Sequence, residues 1–263
     1  MPSSGLIPAD RQARIFKQVR EKGLVKVADL SQMLDVSEIT IRRDLDVLER
    51  KGVLERTHGG AICSQRMRIE PMYTQKDQTE RAEKEAIGRA AQSLIEDGDT
   101  LLVNSGSTTL QVIRFLEGKN LRLITSNVGA IAVAGDKDIE LILIGGVFRR
   151  QSNSLVGGLA ALSLNQVYGS KAFIGVDGIS VKYGLTTPIH QEAEIARHMI
   201  ERTRGPVIVV ADHTKLGVVS NFVTAPIDSV NILVTDEGFD EDYRSDLEKA
   251  GVEIVIARVK SKD

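Results

Sequence analysis

Two groups of residues in this sequence have types and spacings that can do chemistry. The first lies between Ser37 and His58. Thr40, Arg42 and Arg43 fall on a segment whose apolar residues Ile41, Leu45 and Leu48 recur at i, i+4 and i+7, one stripe of a helix. At about 100° per residue, Arg43 points nearly away from that stripe, with Ile39, Arg42 and Asp46 flanking it. Ser37 is a good N-cap for this helix. An outward arginine pair near a helix N-terminus suits a DNA major groove, where guanidinium forks match guanine edges or phosphates and Ile39 can touch a thymine methyl. Beyond it, residues 53–62 read as two short strands around a turn, a wing from which Arg56 and His58 can reach phosphate.

The second group lies where apolar runs end. Leu101-Leu102-Val103 leads into Asn104-Ser105-Gly106-Ser107-Thr108-Thr109 and then a helix. Such a turn offers backbone N–H groups, hydroxyls and a helix N-terminus, a natural phosphate cradle. It is neither a Walker loop, lacking Gly-Lys-Ser/Thr, nor a GxGxxG turn. Other runs end in Ser126-Asn127, Gly145-Gly146, Asp177-Gly178 and Asp212-His213-Thr214-Lys215-Leu216-Gly217. Asp177 and Asp212 can accept hydrogen bonds from sugar hydroxyls, and Lys215 can neutralise a phosphate.

These residues need elements to hold them. A helix from about Pro8 ends before Gly23, and residues 23–26 connect it to a helix carrying Val27, Leu30, Met33 and Leu34 on one apolar face. Residues 64–79 are polar, contain Pro71 and show little periodicity, which predicts a linker. A helix then runs from about residue 79 or 80 to Ile95 with Ile87, Ala90, Ala91, Leu94 and Ile95 inward. Short apolar runs at 100–103, 121–125, 139–144, 171–175, 206–210, 231–235 and 253–257 alternate with amphipathic segments at 108–116, 128–134, 159–164, 191–202 and 241–250. That alternation predicts a largely parallel α/β sheet covered on both faces, and ligands of such sheets gather outside the carboxyl ends of the strands. The expected organisation is a winged helix-turn-helix over 1–63, a linker over 64–80 and an α/β domain over 81–263.

The ordered residues Leu30-Ser31, Val36-Ser37, Thr40-Ile41-Arg42-Arg43-Asp44-Leu45, Leu48-Glu49, Gly52 and His58-Gly59-Gly60-Ala61 resemble the winged helix-turn-helix of the DeoR family of bacterial sugar-metabolism repressors. From about Lys84 to Val255 the chain resembles the effector domain of that family, itself similar to ribose-5-phosphate isomerase. The resemblance implies that Ser105 to Thr109, Ser126-Asn127, Gly145-Gly146 and Asp212 with Lys215 surround a phosphorylated sugar. Lys76 and Lys84 match basic residues that members carry before and within the first effector-domain helix. Two departures stand out. Many relatives have Asp where this chain has Asn104, and the isomerase pairs the counterpart of Asp177 with an acid three positions on, where this chain has Ser180. Without that carboxylate, proton shuttling between sugar carbons lacks an obvious base, although Glu192 is a substitute to weigh.

The resemblance therefore implies a non-enzymatic repressor of a sugar-utilisation operon. It would have no cofactor, a phosphorylated sugar as allosteric effector, double-stranded operator DNA as partner, and a homodimeric or homotetrameric assembly that pairs its reading heads. A sugar-phosphate isomerase with a regulatory head is the alternative. His190, Glu194 and His198 recur every four residues and could share a helix face around a metal, but the spacing is not HExxH, and no metal is expected.

Bulk properties agree. The chain of 263 residues is 42% hydrophobic, with only 4% aromatic residues and no Trp, which argues against a base-stacking single-strand binder. Its net charge is −2, yet the first 60 residues hold 11 Lys and Arg against 9 Asp and Glu, so DNA binding must come from local placement of arginine. Cys63 is the only cysteine, which rules out an intrachain disulfide and fits a reducing compartment. With no run long enough to span a membrane and no signal peptide at the start, the expected location is the cytoplasm.

Overall fold

The computed structural model describes residues 8–22, 24–50, 54–57, 59–63, 72–116, 120–134 and 137–259. The head comprises α1 (Pro8–Lys22), β1 (Leu24–Lys26), α2 (Val27–Leu34), α3 (Glu38–Arg50), β2 (Leu54–Arg56) and β3 (Gly60–Cys63). Ile15, Val19, Leu30, Ile41, Leu45 and Leu54 form its core. Full burial of an aliphatic side chain of this size contributes roughly 1.5–3 kcal/mol. The connector after α1 is a strand: β1 joins the wing to make a three-stranded antiparallel sheet in the order β1-β3-β2. Gly60 permits that pairing, because a Cβ there would lie 1.8 Å from the Val25 carbonyl oxygen. Met33, read as part of the apolar face of α2, is instead 48% exposed, since Val27, Leu30 and Leu34 suffice to fill the contact.

The expected linker is in part a helix. After α4 (Tyr73–Gln78), α5 (Arg81–Ala91) begins the larger domain. The Tyr73 N–H donates to the Gln151 carbonyl at 2.7 Å, so α4 is docked on that domain. The chain continues through β4 (Thr100–Val103), α6 (Ser107–Arg114), β5 (Leu121–Thr125), α7 (Ala130–Ala134), β6 (Ile139–Leu143), β7 (Val147–Arg149), β8 (Ser154–Val156) and α8 (Gly158–Leu164). It ends with β9 (Lys171–Ile174), β10 (Gly178–Ser180), β11 (Gly184–Thr187), α9 (His190–Glu201), β12 (Val207–Val210), β13 (Phe222–Ala225), β14 (Ile232–Asp236), α10 (Arg244–Lys249) and β15 (Glu253–Ala257).

All seven apolar runs pair in one parallel sheet, β15-β14-β12-β9-β4-β5-β6. Alternate strand residues pack on opposite faces. Leu101, Val103, Phe173 and Val210 meet Ile87 of α5 and Ile113 of α6 on one face. Leu102, Ile124, Ala172 and Ile174 meet Leu164 of α8 and Met199 of α9 on the other. The chain moves outward from β4 through β5 and β6, then returns to β9 on the far side of β4. The order therefore reverses between β4 and β9, the kind of point where sheets of this type form a crevice at the carboxyl ends of their strands. Two smaller antiparallel units sit beside the sheet, the β7–β8 hairpin and β10-β11-β13.

Candidate nucleic-acid interface and ligand crevice

Ser37 caps α3 as its sequence requires: its Oγ accepts from the Thr40 N–H at 3.3 Å and lies 2.9 Å from Thr40 Oγ1. The outward face of α3 carries Ile39, 66% exposed, together with Arg42 and Arg43. Arg42 pairs with Glu38 at 3.2 Å along the helix, a contact that is solvent-exposed on both sides. Arg43 is exposed and has no ion pair among the described residues. The next residue, Asp44, faces inward, 4% exposed, and accepts from Arg11 and, at 3.0 Å, from Gln12 Nε2, tying α3 to α1. Arg56 does not project from the wing. Its guanidinium is paired with Asp46 of α3, while its backbone N–H donates to Glu49 Oε1 at 3.1 Å. His58 lies outside the described residues.

At the reversal between β4 and β9, Asn104 spans the two strand ends. Its Nδ2 donates to the Gly175 carbonyl at 2.9 Å and its Oδ1 accepts from the Gly175 N–H at 2.8 Å. Ser105 and Gly106 are half-buried at the start of α6, and Ser107, Thr108 and Thr109 occupy its first turn. The opening N–H groups of a helix lack intrahelical partners and can receive an anion. Thr109 is a strut: its Oγ1 donates to the Asn104 and Gly106 carbonyls at 2.8 and 3.1 Å. Asn127 is another, fully buried, with Nδ2 donating to the Gly106 carbonyl at 3.0 Å. Ser126 is 1% exposed, and its Oγ has no hydrogen-bond partner among the described residues.

Gly146 serves packing: it has φ +123°, and a Cβ there would lie 2.6 Å from the Val156 carbonyl oxygen and 2.9 Å from Ala160 Cβ, so it lets the β7–β8 hairpin close onto α8. Gly178 is equally confined, between Val218 and Thr186. Gly145 is exposed, with Ser163 Oγ 3.9 Å from where a Cβ would lie.

The charged groups assemble over this crevice. Lys76 of α4 reaches Asp177 Oδ1 at 2.7 Å, and Thr187 Oγ1 donates to Asp177 Oδ2 at 2.9 Å. Burial pushes the Asp177 carboxyl up, but Lys76 and Thr187 outweigh it and hold it below the usual range. Lys84 is 4% exposed, and its ammonium donates to the Lys76 and Thr79 carbonyls at 2.6 and 2.5 Å. Burial pulls its pKa down, opposed by Asp212. Asp212 is completely buried; one oxygen accepts from the Thr214 N–H and hydroxyl, while Oδ2 has no hydrogen bond and faces Lys215 Nζ at 3.6 Å.

Beside them is a pair that the strand-end reading missed. Asp236, at the end of β14, takes the His213 N–H on Oδ2 and His213 Nδ1 on Oδ1, both at 2.8 Å. The Asp236 contact raises the imidazole pKa. Asp236 is 23 residues from His213, so only its position as another polar strand end could have drawn attention to it.

Ser180 fills the place of a second acid near Asp177 and accepts from the Tyr183 N–H at 3.3 Å. Glu192 is held by Arg149 at 3.1 Å. The ring of His190 meets Phe222 edge-on at 5.4 Å, whereas His198 faces Glu201 at 3.7 Å. These side chains thus have separate neighbours.

An arginine-bearing helix on a winged scaffold, joined to a parallel sheet with a lysine-rich crevice at its reversal point, defines a DNA-binding regulator with an attached sensing domain. Comparison with known proteins places it further. Residues 11–66 match the DeoR-like helix-turn-helix domain and residues 79–237 the DeoR C terminal sensor domain. The chain belongs to the DeoR family of transcriptional regulators.

Among its relatives are the HTH-type transcriptional regulator GlpR of Haloferax volcanii, 34% identical over 95% of this chain and 98% of its own, and the HTH-type transcriptional repressor GlcR of Bacillus subtilis, 31% identical over 94% and 95%. Ribose 5-phosphate isomerase A from Methanocaldococcus jannaschii aligns with 52% of this chain and 55% of its own at 18% identity and a TM-score of 0.39, too loose a likeness to carry an argument. The family is one of transcriptional regulators, so the chain is a DNA-binding regulator and not an enzyme. No helix among the described residues is long and apolar enough to cross a membrane.

Proposed function

We propose that this protein represses a sugar-utilisation operon and that a phosphorylated sugar in the crevice controls its grip on the operator. The observation that carries this reading is the gathering of Lys84 and Lys215 beside buried Asp212, whose Oδ2 accepts no hydrogen bond and lies 3.6 Å from Lys215 Nζ. The two ammonium groups are the cations that can meet an anion there. Asp177 and Asp212 add acceptors for hydroxyls, and the first turn of α6 adds N–H donors. The names of relatives such as the repressor GlcR support the repressor half of the reading.

Ser37, Ile39, Thr40, Arg42 and Arg43 dock on the operator, and Lys76, Lys84, Asn104 to Thr109, Ser126, Asp177, Asp212 and Lys215 surround the ligand. The protein works in the cytoplasm as a homodimer or homotetramer, with no cofactor beyond this effector. The coupling needed is about 1–3 kcal/mol, roughly a 5- to 150-fold change in operator affinity. Thermal-shift titration with a panel of sugar phosphates and their unphosphorylated sugars tests the ligand class, followed by gel shifts with the upstream DNA. A stabilising phosphate ester that also releases DNA is the expected result; binding of the free sugars with equal strength overturns the assignment.

A further inference from the structure

The head is seated on the sensing domain through one corner. Lys26, the residue before α2, places Nζ 2.8 Å from Asp240 Oδ2, in the turn that follows β14. A Cβ on wing residue Gly59 would lie 3.9 Å from Asp242 Oδ2. A Cβ on Gly217 would lie 3.4 Å from Leu24 Cδ1 and would collide with the Tyr243 hydroxyl. Lys26 and Gly59 belong together, because the Gly59 carbonyl accepts from the Val27 N–H at 2.8 Å. The start of α2 and the wing turn therefore rest jointly on Asp240, Asp242 and Tyr243. Gly217 also closes the loop that begins at Asp212, so the contact lies one loop from the crevice.

In a helix-turn-helix the first helix of the pair crosses the duplex backbone, and phosphates are bound by helix N-termini, basic side chains and backbone N–H groups. Lys26 offers such a group, yet here the Asp240 carboxylate stands where a phosphate would. A duplex brought to this corner would meet Asp240 and Asp242 well inside a Debye length of about 10 Å. We propose that the Asp240–Tyr243 turn is a docking surface whose occupant is the phosphate-binding corner of the chain's own head, and that this seat must open before the head grips DNA.

The test compares the full chain carrying Asp240→Asn with Asp242→Asn against Glu241→Gln. Glu241 lies in the same turn but pairs with Arg244, at 3.0 Å, and not with the head. Affinity for a random-sequence duplex at fixed salt should rise roughly two- to fivefold in the double variant, the scale of an exposed ion pair, and by clearly less in the control. Spin labels at exposed Gln32 and Lys249, in a Cys63→Ser background, should give one narrow distance that broadens in the double variant and not in the control. A matching gain in Glu241→Gln, weaker DNA binding in the double variant, or an unbroadened distance overturns the proposal. The label measurement uses neither DNA nor sugar phosphate, so its failure is distinct from failure of the proposed function.

Discussion

The side-chain amide of Asn104 forms a two-way hydrogen-bonded rung with Gly175, donating to its carbonyl at 2.9 Å and accepting from its N–H at 2.8 Å. It extends the pairing of β4 with β9 past the last strand residues, at the point where the strand order reverses. Only an amide can do both, since a carboxylate has no donor. Asn104→Asp should leave the Gly175 carbonyl facing an oxygen and cost about 1–3 kcal/mol. For a chain of this size that lowers the melting temperature by roughly 2–10 °C, read by differential scanning calorimetry.

Arg43 and Arg56 should separate reading from scaffolding. Arg43→Ala removes an exposed guanidinium with no ion pair among the described residues, so the fold should be unaffected while operator affinity falls by about 1–3 kcal/mol, roughly 5- to 150-fold. Arg56→Ala removes the pair with Asp46 and should loosen the wing with a smaller effect on DNA affinity. Gel-shift titrations beside thermal melts distinguish the two; equal losses of affinity would contradict the placement of Arg56.

Asp44 follows the two arginines in sequence but acts in the core. Buried and accepting from Arg11 and Gln12, it ties α3 to α1, and Asp44→Ala should cost about 1.5–3 kcal/mol, the scale of a hydrogen bond to a charged group. The expected thermogram has the head unfolding ahead of the sensing domain, while Asp44→Asn, which keeps the shape and one acceptor oxygen, should be milder.

The parallel sheet was legible because strands buried on both faces are continuous apolar runs, as in Leu101-Leu102-Val103 and Val207-Ile208-Val209-Val210. The β7–β8 hairpin was not: Val147 and Phe148 are exposed on a three-residue strand too short to show a period. The helix α4 escaped for the opposite reason, being polar with no buried residue to mark a face. At the crevice, sequence spacing located Asp212 and Lys215, but could not show that Thr109 and Asn127 are struts, nor that Arg56 turns back to Asp46. Those outcomes depend on contacts between residues distant in the chain.

His213 and Asp236 set a pH dependence with opposite signs. The folded pKa of His213 is raised, so its contribution to stability is present below about pH 6.5 and is lost as pH rises through the folded value. The carboxyl of Asp236 is lowered, because burial is outweighed by the bonds from His213 and Gly238, so its contribution is present above about pH 3.9 and is lost as pH falls through its folded value. Melting temperatures of the wild type and His213→Gln should differ most between those limits and converge once pH has risen past the folded pKa of His213. A difference independent of pH would show that the histidine acts through packing on Gly238 instead.

Lys215 and Lys84 should fail in different ways. Lys215 is part-exposed, sits 3.6 Å from Asp212 and donates to Thr214 Oγ1 at 2.9 Å, so Lys215→Ala spares the apolar core but takes the ion-pair partner from buried Asp212. It should bind operator DNA as the wild type does yet no longer release it when a sugar phosphate is added. Lys84 is buried with its ammonium on two backbone carbonyls, and Lys84→Ala removes both hydrogen bonds, to Lys76 and Thr79. Each hydrogen bond to a charged group is worth about 1.5–3 kcal/mol, so this variant should lose stability as well as response. Gel shifts with and without sugar phosphate, beside thermal melts, separate a lost ligand contact from a collapsed crevice. A Lys215→Ala protein that still releases DNA at the wild-type ligand concentration would remove Lys215 from the site.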